Sequence, residues 1–249
     1  MSKATFERRV VGILYDFQKA RKVWNDLVGD GLTQANTLVN VQLQQGAGYW
    51  PPALEQFVDL KDRFESKLQK KADALAVDFE TTFTKMSAQY SKMKLQTSQF
   101  EYLMEEATET FGEAFTYKEP IGTTCTMEQI WIQLERVFGL YSLQIALNRE
   151  ILDALVARNQ NLDHARILSG GGGGGATVPS GSTSTEVSST LLSSSEQEPR
   201  ISGFNQIPVR RDKDQGMILL SAWLNQPHLK TDTLLTFDEF CQVELFGTE

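Results

Sequence analysis

Residue types that could do chemistry are few and scattered along this chain. The two histidines, His164 and His228, have no carboxylate, cysteine or second histidine at a spacing typical of a catalytic dyad or a metal site. Cys125 and Cys241 lie far apart and belong to no CxxC or Cys/His cluster, so neither a disulfide framework nor a zinc site is indicated. We therefore expect a protein that is not an enzyme, without catalytic residues, metal or cofactor.

The run of six glycines from Gly170 to Gly175 is not a phosphate-binding loop. It lacks the Gly-Lys-Ser/Thr ending and the preceding strand pattern of such loops. The run belongs to a segment rich in Ser and Thr, residues 169–208, which has too little apolar surface to offset the entropy of ordering. We expect a flexible, disordered linker. No serine or threonine in the chain precedes a proline, so the minimal site of a proline-directed kinase is missing.

One set of charged residues is regularly spaced. Glu101, Glu105, Glu109 and Glu113 follow one another at four-residue intervals and would share one face of a helix. Like charges at this spacing disfavour a helix by a few tenths of a kcal/mol per pair. We call Glu101, Glu105 and Glu109 the acidic stripe. Two interpretations stay open: a solvated face, or a docking strip for a basic partner or for the basic first helix of the chain.

Composition narrows the class of protein. The 249 residues are 41% hydrophobic, and no apolar run approaches the roughly 18 residues of a membrane-spanning helix. The first residues lack the apolar core of a secretory signal, so we expect an intracellular, soluble protein. The net charge of −8 disfavours binding to a phosphate backbone. Protein partners are therefore favoured over direct nucleic-acid or membrane binding.

The first segment, residues 1–48, reads as a helical hairpin. Apolar residues alternate in steps of four and three, the pattern of a helix packed lengthwise on another helix. Gly29 and Gly31 are predicted to end that helix, with a shorter one beginning near Thr33. Basic residues on the other faces predict packing on the negative part of the next helix. The apolar residues are Phe6, Val10, Ile13, Phe17, Ala20, Trp24 and Leu27.

Residues 51–168 are predicted to form a long coiled-coil hairpin. From Pro52 to Phe111 there is no glycine and no further proline, and Pro52 suits the first helical position. One helix of this length would measure roughly 90 Å. Thr126 and Gln129 then resemble a capping box that opens a helix over about 127–157, folded back on the first. Asn148 on its apolar seam is interpreted as a residue that specifies register.

The last segment, residues 209–249, reads as a short helical motif. Met217, Leu220, Trp223 and Leu224 predict a helix that Pro227 must end, and a final helix is expected to begin at Thr236. Helices this small do not fold alone, so they should dock on the main bundle or on another protein. The fold class expected for the whole chain is all-α, an elongated helical bundle or antiparallel coiled coil.

Two stretches carry a family resemblance. Residues 218–228, Ile-Leu-Leu-Ser-Ala-Trp-Leu-Asn-Gln-Pro-His, followed by an acidic final helix, resemble the carboxy-terminal signature of the cyclin-dependent kinase 2-interacting protein (CINP) family. The run from Trp24 to Asn36, with Trp-Asn-Asp-Leu and Asp-Gly-Leu-Thr, is similar to that family's amino-terminal helices. The 169–208 insertion departs from the family pattern.

The resemblance implies a non-enzymatic nuclear adaptor in genome maintenance, covering DNA replication, the DNA damage checkpoint and the cell cycle, with a further role in ribosome biogenesis. The implied partners are a AAA+ ATPase assembly, cyclin-dependent or replication kinases, and a second coiled-coil subunit. A coiled-coil tether of a cytoplasmic or kinetochore complex is the alternative. The candidate partner-binding residues are Trp223, Leu224, Gln226, Pro227, Trp24, Asn36 and the acidic stripe.

Trp223 has two interpretations that the sequence leaves open. An aromatic residue at a helix-ending turn can anchor in a partner's pocket, where truncation costs 2 kcal/mol or more. It can also cap this protein's own bundle. If it anchors in a partner, replacing Trp223 and Pro227 by alanine should leave the melting temperature nearly unchanged and weaken partner capture.

Overall fold

A computed structural model describes residues 2–46, 51–54, 56–169 and 209–246. The regular elements in these ranges are all helical, which confirms the predicted all-α bundle. The predicted linker lies outside the described residues, apart from Ser169, which ends a helix. The elements are α1 Lys3–Gly46, a 3₁₀ turn Pro52–Leu54, α2 Val58–Phe111, α3 Glu113–Tyr117, α4 Met127–Ser169, α5 Val209–Asn225 and α6 Thr231–Phe246.

Helices α1 and α2 form an antiparallel pair along most of their lengths. At one end the Phe6 ring meets the Phe111 ring edge-on at 5.5 Å. At the other end Gln45 Nε2 donates to Gln69 Oε1 at 2.7 Å. All seven seam residues predicted for the first helix are buried, so the periodicity identified the packed face correctly.

The predicted hairpin within residues 1–48 is wrong, because α1 continues without a break through Gly29 and Gly31. Each glycine costs a helix about 0.5–1 kcal/mol relative to alanine. The apolar residues on both sides, such as Leu27 and Leu38, are buried in the same core. Burying one such side chain contributes about 1.5–3 kcal/mol, which outweighs the preference of glycine for ending a helix.

The long helix α2 begins later than predicted. Pro52 opens the separate 3₁₀ turn, and α2 runs from Val58 to Phe111, 54 residues or about 80 Å. Gly112 ends it with a φ of +87°, a conformation that glycine adopts without a Cβ penalty. Around the start of the helix, Phe57 and Phe64 are about half exposed.

Helix α4 folds back along α2, as predicted. Tyr90 stacks on Phe138 at 5.3 Å, and Phe100 stacks on Trp131 at 6.1 Å, which sets an antiparallel register. The predicted capping box is present: the Thr126 N–H donates to Gln129 Oε1, and the Gln129 N–H donates to Thr126 Oγ1. The helix extends to Ser169, beyond the predicted end near 157.

Helices α5 and α6, which we call the C-terminal pair, dock on the main bundle through α1 and α4. α5 begins at Val209 rather than near Met217, and it ends at Asn225, before Pro227, as predicted. The predicted start of the final helix at Thr236 is wrong, because α6 begins at Thr231. Thr236 lies inside α6, and its hydroxyl donates to the Asp232 carbonyl of the preceding turn.

None of the described helices is both long enough and apolar enough to cross a membrane.

Candidate partner-binding sites

Trp223, the central residue of the carboxy-terminal signature, is fully buried in this protein's own core. Its indole N–H donates to the Val28 carbonyl at 3.0 Å, and its ring centroid lies 4.7 Å from that of Phe79. The ring lies against Gly31, where an added Cβ would be 2.9 Å from Cε2. The geometry therefore matches the interpretation in which Trp223 closes its own bundle.

Gln226 joins the two stretches that carry the family resemblance. Its Oε1 accepts from the Trp24 indole N–H at 3.2 Å, and its Nε2 donates to the Trp223 carbonyl at 2.7 Å. Its backbone φ of +44° lies in the left-handed region, which residues other than glycine, asparagine and aspartate rarely adopt. These two buried hydrogen bonds hold the turn before Pro227. We call Trp24, Trp223 and Gln226 the tryptophan junction.

The other predicted signature residues face solvent. Leu224 is 54% exposed, and Pro227 and Asn36 are exposed as well. The six candidates near the two ends of the chain thus divide into two groups. The tryptophan junction is internal, and only Leu224, Pro227 and Asn36 are accessible to a partner.

A buried amide chain connects α4 to the turn between α5 and α6. Gln144 Nε2 donates to Asn148 Oδ1 at 2.8 Å, and Gln144 Oε1 accepts the backbone N–H of His228 at 3.1 Å. Asn148 Nδ2 is buried and has no hydrogen-bond partner among the described residues. A buried unsatisfied donor costs about 1–3 kcal/mol, so Asn148 is a destabilising member of the seam.

An ion pair between the buried Arg21 and the half-exposed Asp238 clamps α6 onto α1. The Arg21 guanidinium pairs with Asp238 and also donates to the Tyr141 hydroxyl at 3.3 Å. Burial alone would lower the pKa of Arg21, but Tyr141 and Asp238 raise it, so the guanidinium stays charged. Burial raises the pKa of the Tyr141 hydroxyl, which stays neutral. Arg21 also lies over the Phe237 ring at 5.3 Å, a cation–π geometry.

The carboxylate of Glu244 fastens the far end of α6 to the loop before α4. It accepts the backbone N–H groups of Thr124 at 3.1 Å and Cys125 at 3.3 Å, and also the Thr124 hydroxyl. Burial alone would raise the pKa of Glu244, but these hydrogen bonds favour the charged form and lower its pKa below the usual value. Glu244 therefore anchors the loop as a carboxylate.

The acidic stripe is exposed on the last part of α2. Arg9 of the basic first helix pairs with Glu106 at 2.6 Å, and not with a member of the stripe. Within the described part of the chain, the stripe makes no ion pair. These pairings contradict the alternative in which the first helix neutralises the stripe, and the two remaining interpretations are a solvated face or a docking strip for a partner.

Sequence reasoning missed the residues that hold the C-terminal pair in place: Arg21, Gln144 and Glu244. Arg21 looks like one more basic residue on a solvated face, and its acidic partner lies 217 positions away. Local spacing contains no signal for such a pair. Trp24 was the informative residue, because an aromatic on the apolar seam indicates a core position whatever it contacts.

The described residues contain no grouping of His, Cys, Asp and Glu that could hold a metal ion. His228 engages Gln144 through its backbone, and the side chain of His164 lies outside the described part of the structure. A scan against models of known protein families and a search of curated proteins each found no match to this chain.

Proposed function

We propose that this protein is a non-enzymatic adaptor of genome maintenance, which binds a AAA+ ATPase assembly and cell-cycle kinases through its helical surfaces. The supporting observation is the tryptophan junction. The two stretches that resemble the cyclin-dependent kinase 2-interacting protein family are far apart in sequence, yet Trp24 donates directly to Gln226 at 3.2 Å. The two stretches that carry the resemblance thus belong to a single structural unit.

The role of that unit is to present surface rather than to catalyse. The junction joins the C-terminal pair to α1. Three further contacts attach the pair: Arg21 of α1 binds α6, Gln144 of α4 binds the turn before α6, and Glu244 of α6 binds the loop before α4. A helical bundle that is attached at several points keeps its exposed residues in fixed relative positions, which lowers the entropic cost of binding a partner. We assign the docking role of this unit to Leu224, Pro227 and Asn36.

Affinity purification from nuclear extract tests the proposal. The expected result is co-purification of a AAA+ ATPase together with replication factors. Recovery of vesicle or microtubule proteins instead would favour the tether interpretation and overturn the proposal. Nuclear localisation of the tagged protein is expected as well.

A paired variant tests the assigned surface. Leu224→Ala with Pro227→Ala should reduce recovery of the ATPase, whereas Ile218→Ala, on the same helix and 67% exposed, should not. Both variants change exposed side chains, so their melting temperatures should stay close to that of the unmodified protein. Equal recovery of the ATPase with the unmodified protein and with both variants would show that the docking surface lies elsewhere on the bundle.

A further inference from the structure

The acidic stripe borders a groove on the surface of the bundle. Met104, on the same face of α2, and Trp131 of α4 line the groove, and Tyr117 of α3 lies at its side. Its volume is about 420 Å³. Met104 and Trp131 are partly buried against the core, and Tyr117 is 43% exposed. The groove thus offers apolar and aromatic surface directly beside three carboxylates.

The lining of this groove is held firmly. Trp131 stacks on Phe100 with ring planes 16° apart. The Thr108 hydroxyl, also in the groove, donates to the Met104 carbonyl at 2.8 Å and contacts the Thr116 hydroxyl at 2.9 Å, which ties α3 to α2. The Thr108 hydroxyl is therefore occupied internally, and the three carboxylates are the charged groups of the lining that can recognise a ligand.

The charge of the groove is uncompensated within the described part of the chain. Glu109 lies in the last turn of α2, where the helix dipole is negative, and that turn contains no basic residue. Neighbouring members of the stripe also repel each other at four-residue spacing. A cation placed along the stripe would relieve both effects at once.

We propose that this groove binds a short basic segment of a protein partner. Consecutive carboxylates of the stripe are about 6 Å apart along the helix axis, so the matching segment carries Arg or Lys at every fourth position of a helix. An apolar side chain between the cations would contact Met104, and a cation could lie over the Trp131 or Tyr117 ring. Nucleic acids and anionic membranes are disfavoured, because their phosphates would meet the carboxylates.

This inference deepens the proposed adaptor function by stating the chemistry of one partner contact. The direct test uses a fluorescein-labelled, alanine-rich helical peptide with arginine at every fourth position and leucine beside each arginine. Fluorescence anisotropy measures its binding to the full chain at low and high salt. A peptide with glutamine in place of each arginine reports the contribution of charge.

Replacing all three glutamates of the stripe by glutamine should weaken binding of the arginine peptide about tenfold at low salt, since each exposed ion pair contributes a few-fold. The matched control is Asp62→Asn with Asp78→Asn and Glu80→Gln, which removes as much exposed charge from the same helix. It should change affinity less than about twofold. Tyr117→Ser should weaken binding even at high salt, because an apolar contact is not screened.

The inference is overturned if both triple variants weaken binding equally, since that indicates general charge attraction, or if the arginine and glutamine peptides bind alike. Circular dichroism of each variant checks that the helices are retained. The purification experiment separates the two proposals. Recovery of the ATPase together with failure of the peptide test would reject the proposed binding site in the groove and keep the proposed adaptor function. Specific peptide binding without recovery of the ATPase would reject the assigned partner and keep the groove.

Discussion

Two glycines in one turn of α1 allow a direct test of how Trp223 is packed. Gly29 is exposed, and a Cβ added there would meet no atom within 4 Å. Gly31 is buried, and a Cβ added there would be 2.9 Å from Trp223 Cε2 and closer still to Cζ2. The ring cannot move away freely, because it packs on Phe79 and its N–H is bonded to the Val28 carbonyl.

The two alanine substitutions should therefore change stability in opposite directions. Each gains about 0.8–1.0 kcal/mol of helix propensity when glycine becomes alanine. Gly31→Ala additionally overpacks the core at a cost of about 1–3 kcal/mol, whereas Gly29→Ala does not. Because the propensity gain is common to both, the difference in unfolding free energy between the two variants, about 1–3 kcal/mol, measures the clash with Trp223 alone.

Chemical denaturation followed by circular dichroism at 222 nm gives both free energies. The same pair of substitutions in a Trp223→Ala background provides the control, because the clash cannot occur there and the two variants should be equally stable. Equal stabilities in the unmodified background would show that Trp223 does not pack on Gly31 in solution. In that case the indole would be free to anchor in a partner, as in the alternative interpretation.

Three further outcomes are expected. Trp223→Ala should cost roughly 3–5 kcal/mol of stability, whereas Leu224→Ala, at a site 54% exposed, should change it by less than about 0.5 kcal/mol. Similar costs for the two variants would contradict the burial of Trp223. Because the folded pKa of Glu244 is lowered, its stabilising contribution is present above the unfolded pKa and is lost as pH falls. Between about pH 5 and 3 the unmodified protein should thus lose more stability than Glu244→Gln, and parallel pH profiles would refute this. Burial raises the pKa of Cys241 to about 12. Iodoacetamide should therefore modify Cys125, which is partly exposed, well before it modifies Cys241. Equal modification rates, measured by mass spectrometry, would show that the C-terminal pair opens readily.

Burial of Trp223 reverses one expectation from the sequence. If Trp223 anchored in a partner, replacing it together with Pro227 would leave the melting temperature nearly unchanged. The side chain is fully buried, so the structure predicts a lower melting temperature for that double variant. A test of docking therefore needs the exposed residues, Leu224 and Pro227, without Trp223.

The sequence by itself determined the fold class, the packed face of α1 and the start of α4. Apolar periodicity identified the buried side of α1, and the complementary side chains of Thr126 and Gln129 identified the start of α4. These features are local: a seam or a capping box is complete within a few turns of one helix, so the chain records it at a recognisable spacing.

Tertiary structure alone decided the path of α1 through Gly29 and Gly31 and the placement of Trp223. A glycine pair that would end an isolated helix stays helical because both flanks bury apolar side chains, and the small residue at Gly31 leaves room for an indole from the other end of the chain. The partners of Arg21, Gln144 and Glu244 were equally hidden, since each pairing joins groups on different helices or loops. Such contacts depend on how the helices are placed against one another, and no spacing along the sequence encodes that placement.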